Sequence, residues 1–90
     1  MQEFSFGERV RITKQYSIRN KGMKKMYFDV PRFDTGLFLG WRDIHDWETV
    51  CDMNNDYSVV RGEIHRAAYV ALNDKNQPIY VPKNGVHKIK

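Results

Sequence analysis

The stretch Asp34-Thr-Gly-Leu-Phe-Leu-Gly-Trp41, continuing into Arg42, constrains the fold more than any other part of the chain. In an extended backbone Leu37, Leu39 and Trp41 point one way and Phe38, Gly40 and Arg42 the other, and few charges interrupt the run. Gly36 and Gly40 bracket the apolar residues and permit a sharp bend. The pattern predicts a central, strongly bent β-strand, beside which the other alternating segments pair.

Those segments can be followed along the chain. Glu8 to Lys14 alternates with Val10 and Ile12 inward and Arg9, Arg11 and Thr13 outward, a first strand that Tyr16 and Ile18 prolong. Arg19-Asn-Lys-Gly-Met-Lys-Lys reads as a basic loop in which Asn20 and Gly22 favour a turn. Met26, Phe28 and Val30 then share one side of a strand that Pro31, lacking an N–H, should stop. After the central strand, Asp43-Ile-His-Asp reads as a turn, and Trp47, Thr49, Cys51 and Met53 alternate in a half-buried strand that forms a hairpin with it. Asn54-Asn-Asp is a further turn, and Tyr57 to Val60 a short strand closed by Gly62.

Glu63 to Leu72 fits two periods. Ile64, Ala67, Ala68, Ala71 and Leu72 line one face of a helix, whereas Ala68, Val70 and Leu72 line one face of a strand. A strand from about Ala67 is preferred, because Asn73-Asp-Lys-Asn-Gln then joins it to Pro78-Ile-Tyr-Val as a compact hairpin.

A chain of 90 residues is one domain, 1–90, and buries only roughly 60 to 65% of the surface its unfolded form exposes. That leaves little room for an enclosed active site. The single cysteine, Cys51, has no intrachain disulfide partner, and the first residues lack the basic start and apolar run of a signal peptide, so a reducing, cytoplasmic setting is expected. No apolar run approaches the roughly 20 residues needed to span a bilayer.

The net charge of +4 is unevenly spread. Residues 1–32 carry eight basic side chains against three acidic ones, residues 33–60 one against six, and residues 61–90 six against two. The molecule should therefore be electrically two-faced, a property suited to a protein partner with patches of both signs rather than to a uniform nucleic-acid coat.

The close of the chain has the most telling local pattern. Ile79-Tyr-Val runs into Pro82-Lys-Asn-Gly and then Val86-His-Lys-Ile, which resembles the closing segment of SH3-like barrels, where a strand, a proline-led turn of 3₁₀ helix and a final strand complete the barrel. With the Gly-Glu-Arg-Val-Arg-Ile opening and the central strand, the resemblance covers most of the chain. It implies an all-β fold, a small barrel of five or six antiparallel strands with a short 3₁₀ turn near the C-terminus; the runner-up is α+β with one helix at 63–72. The chain also resembles small, aromatic-rich proteins of phages and mobile elements, some of which use such barrels to inhibit host enzymes or immune nucleases.

Candidate sites follow from charge and aromatic content. Arg19, Lys21, Lys24 and Lys25 of the basic loop, with Tyr27, could meet an acidic partner surface, and Asp43, Asp46 and Glu48 its basic groups, with Trp47 as the apolar anchor. The same loop with Arg9, Arg11, Lys14 and Tyr16 has the raw materials for nucleic acid, cations for phosphates and rings for bases. Trp41 reads as core. His45, Cys51, Asp52 and His65 carry ligand-competent atoms, but their separations match no paired zinc spacing, and Cys51 reads as an inward-facing core thiol. No glycine-rich phosphate loop is present. The expectation is a non-enzymatic binding protein without metal or cofactor, acting on a protein or nucleoprotein partner, with direct nucleic-acid binding as the alternative and homo-oligomerisation through an edge strand left open.

Overall fold

The computed structural model describes residues 3–51, 53–54, 56–73 and 77–89; Asp52, and residues 55 and 74–76 of the two turns expected from sequence, lie outside them. The strands are β1 (Arg9–Lys21), β2 (Lys24–Cys51), β3 (Tyr57–Leu72), β4 (Ile79–Pro82) and β5 (Val86–Lys88), with a single 3₁₀ turn, Lys83–Gly85, between the last two. They form one antiparallel sheet in the order β4-β3-β2-β1-β5. The all-β expectation holds, as do the strand number and the strand, 3₁₀ turn and strand at the C-terminus. Closure does not. β4 and β5 are the two outer strands and are not paired with one another; β4 packs across β1 instead, so the sheet curls without becoming a closed barrel. Among the described residues no helix is long and apolar enough to cross a membrane.

The ambiguous segment is strand rather than helix. Ala68, Val70 and Leu72 are buried opposite Trp41, Phe38 and Gly36 of β2, and Ala67 is buried opposite Pro82. Pairing with β2 on one side and β4 on the other gives the backbone groups of Ala67 to Val70 partners in both directions. These residues join Val10, Ile12, Val81 and Val86 in the core, with Phe4, Trp41 and Ile79 packed against it. Phe4 is held there because Gly7 and Glu8 bond the backbone of Phe38 at both of its polar groups, 2.7 and 2.8 Å.

β2 is the organising strand. Its 28 residues would span roughly 90 Å if straight, yet the longest dimension of the molecule is 57 Å. The strand bends at its middle. Its first part, Lys24 to Leu37, pairs with β1, and Gly36 to Cys51 pairs with β3. Within this region the β2–β3 register shifts between Phe38 and Gly40, where Gly40 has φ 138°, and at Gly36 a Cβ would lie 2.6 Å from both the carbonyl oxygen of Ala71 and Cγ1 of Val70. Only hydrogen fits between the strands at the point of closest approach.

Four local expectations are corrected. Pro31 does not stop the strand, since the ladder shifts register between Ile12 and Lys14 and the proline sits beside that bulge, where a missing donor is tolerated. Asp43-Ile-His-Asp is not a turn: Asp43, Ile44 and His45 lie opposite Arg66, His65 and Ile64, with Ile44 buried. The segment from Trp47 to Cys51 therefore belongs to the central strand itself and pairs with Tyr57 to Arg61, rather than forming a hairpin with the central strand. The basic stretch is likewise mostly strand, with a two-residue turn at Gly22-Met23 in which Gly22 has φ 61°, as tight hairpin turns require.

Candidate functional site

The bend lays two hairpins side by side beyond the core. One is the basic ribbon, Lys14–Lys21 with Lys24–Pro31, and the other is the acidic ribbon, His45–Cys51 with Tyr57–Ile64. Together they make an arm, and the radius of gyration of 15.7 Å exceeds the roughly 12 Å of a compact chain of this length.

The two halves of β2 run antiparallel along the seam between the ribbons. Thr49 N–H donates to the carbonyl of Met23 at 2.8 Å. Tyr27 N–H donates to Oδ1 of Asp46 at 2.9 Å, and Nε2–H of His65 donates to the same oxygen at 3.1 Å. On the two sides of the seam Lys24 lies 4.0 Å from Glu48, and the Lys25 ammonium sits 4.6 Å above the Trp47 ring. The rings of Tyr16, Tyr27 and His65 close the base of the seam in mutual edge and tilted contacts, 5.5 to 6.2 Å between centroids. Burial pushes the phenols of Tyr16 and Tyr27 upward, with Asp29 adding to the effect on Tyr16 and Tyr80 to that on Tyr27.

The site residues expected from sequence fall into distinct settings. Asp46 is turned inward as an acceptor, its side chain 13% exposed, and is poorly placed to meet a partner. Tyr16 and Tyr27 are half-buried in the seam. Lys24 and Glu48 meet each other, and Asp43 pairs with Arg66 at 3.2 Å. Arg19 stacks over Phe28, Lys21 is exposed at the hairpin tip, and Arg9 and Arg11 are exposed at the start of β1. Lys14 is half-buried against the 3₁₀ turn. Trp47 is 41% exposed and Trp41 packs on the core. The Lys24–Glu48 and Asp43–Arg66 pairs each join a basic to an acidic block of the sequence and stay largely exposed. Cys51, expected inside, is exposed, because no second layer covers the ribbon beyond the core.

A grouping the sequence did not suggest is Asp46, Glu63 and His65, whose ligand-competent atoms lie within 4.8 Å of one another. It arises where β3 shifts register opposite Asp46, between His45 and Trp47. Carboxylates and an imidazole are a donor set for a borderline divalent cation. Oδ1 of Asp46, however, already accepts two N–H groups, and this geometry suits a pin between the ribbons. The alternation of Glu63 with His65 was readable; the approach of Asp46 was not. Beside the group lies an open cavity of about 390 Å³ lined by Tyr16, Asp29, Glu63, His65, Lys83 and Asn84 among others.

The arm also carries apolar side chains that nothing covers. Met53 is 100% exposed, Val59 68% and Tyr57 65%, and Met23, Met26, Val50 and Val60 are exposed as well. Comparison with protein-family models, curated proteins and solved structures gives no match.

Proposed function

We propose that this chain is a non-enzymatic binding protein that acts by occupying a macromolecular partner, with the arm as its contact surface. The observation that carries this reading is the placement of Trp47: a half-exposed indole beyond the core, capped by Lys25 and sharing a shallow groove with exposed Met26. Large amphipathic rings in such settings dominate protein interfaces, and apolar surface gathered at one end of a small chain marks a contact site. The mechanism is steric and electrostatic. Arg19 and Lys21 meet acidic groups of the partner, Asp43 and Glu48 its basic groups, and Trp47 enters an apolar pocket. In keeping with the resemblance to small phage and mobile-element proteins on SH3-like barrels, the partner is a bacterial nucleic-acid enzyme or defence complex whose action is inhibited or modulated.

Direct nucleic-acid binding is the second reading, favoured by the exposed Arg9, Arg11 and Lys21. Against it, the two rings that the sequence offered as stacking platforms, Tyr16 and Tyr27, are engaged in the seam. Pull-down with the immobilised full chain distinguishes the two. A stoichiometric protein complex that Trp47→Ala abolishes, with the circular dichroism spectrum unchanged, supports the first reading. Failure to retain any partner, or retention of every captured partner by Trp47→Ala, overturns it. Binding of a labelled oligonucleotide at low salt, weakened when Lys21, Lys24 and Lys25 become Glu, establishes the second.

A further inference from the structure

Among the described residues the outer edges of the sheet are bare along the arm, that of β1 beyond Ile12 and that of β3 before Ala67. β4 covers β3 only from Ala67 to Val70, so from Tyr57 to Arg61 no strand lies on that side among the described residues. The direction of the backbone groups there follows from one hydrogen bond. Thr49 lies opposite Val59, and its N–H points away from β3 to the carbonyl of Met23. In an antiparallel ladder this makes Thr49 and Val59 a non-hydrogen-bonded pair, so the N–H and C=O of Val59 also point away from their partner strand, out of the sheet. By the same alternation Tyr57 and Arg61 present their backbone groups outward. Beyond Arg61 the register shift at Gly62-Glu63 interrupts the edge.

We infer that this chain forms a two-fold symmetric dimer in which Tyr57–Arg61 of one copy pairs antiparallel with the same segment of a second, Val59 lying opposite Val59. This reading does not depend on the identity of any partner. An isologous contact requires a self-complementary segment, and this register supplies one. It is the alignment in which the whole uninterrupted edge is used: Val59 exchanges both backbone bonds with its counterpart, and Tyr57 and Arg61 do so with each other. It also places each Arg61 guanidinium across from a Tyr57 ring rather than from a second cation, so no like charges oppose one another. Val59 and Tyr57, among the most exposed apolar side chains of the arm, become covered on one face of the joined ribbons, and Val60 on the other. The segment holds no proline, and its one charge, Arg61, lies at its end. Trp47 lies on β2 and the basic ribbon on the far side of the seam, so a dimer would present two copies of the proposed partner surface.

Sedimentation equilibrium of the full chain tests the inference. The expected result is a monomer–dimer equilibrium, with Val59→Pro raising the dissociation constant by roughly tenfold or more through loss of the outward donor, a group that β2 does not use. Val59→Lys, which keeps the backbone donor but puts two cations together, should weaken the dimer similarly and guards against misfolding of the proline variant. In a Cys51→Ser background, Val59→Cys should oxidise to a covalent dimer, because paired residues on such strands stand about 5.5 Å apart, whereas Ser58→Cys should not. A full chain that stays monomeric at every accessible concentration overturns the inference, as does equal cross-linking at positions 58 and 59, or dimers indifferent to both Val59 variants.

Discussion

One oxygen of Asp46 accepts two N–H groups from separate strands, that of Tyr27 on the basic ribbon at 2.9 Å and Nε2–H of His65 on the acidic ribbon at 3.1 Å. The carboxylate joins elements that share no ladder with one another there. Removing it as Asp46→Ala leaves the Tyr27 N–H without its acceptor and should destabilise the fold by about 1 to 3 kcal/mol. Denaturant unfolding should show this as a lower midpoint with the slope unchanged. The Thr49 amide should lose protection in the same variant, since the second seam bond depends on the first.

Alkaline pH should loosen the same region. The phenols of Tyr16 and Tyr27 are raised, first by burial, so the folded chain holds these protons more tightly than the unfolded chain does. Their contribution is complete below the unfolded value near 10 and is lost as pH rises through the higher folded values. Unfolding midpoints should therefore fall above about pH 10, and Tyr16→Phe with Tyr27→Phe should flatten that fall.

Gly36→Ala tests the close approach of β2 to β3. The added methyl meets the Ala71 carbonyl and Val70 Cγ1 at 2.6 Å, and backbone cannot yield as a flexible side chain can. A loss of about 3 kcal/mol is expected, lowering the thermal midpoint by roughly 10 °C or more.

Lys24 and Trp47 should separate stability from binding. The Lys24–Glu48 pair is long and solvated, so Lys24→Ala should cost under about 0.5 kcal/mol. Trp47→Ala should likewise leave the fold intact, as the ring lies outside the core cluster, while reducing partner capture.

How much of this was legible in the sequence depended on range. The bent central strand was readable because glycines interrupting a two-sided apolar run have few other uses, and the C-terminal strand, 3₁₀ turn and strand because its signals are local. Pro31 and the Asp43-Ile-His-Asp run misled, because local propensity cannot show that a bulge beside Pro31 absorbs its missing donor or that Arg66 stands across from Asp43. The union of Asp46, Glu63 and His65 depends on a register shift between distant segments, which composition does not encode. Charge blocks along the chain suggested opposed faces; the bend folds one block onto the other.

The joining of the two halves of β2 into one arm is the claim on which the rest stands, and native-state hydrogen exchange at Thr49 tests it most directly. Its N–H takes no part in the β2–β3 ladder and is held only by the carbonyl of Met23. Protection comparable to that of amides within the β2–β3 ladder is the predicted result. Exchange at the rate of an exposed edge amide, with the ladder still protected, would contradict it and leave the ribbons as independent hairpins.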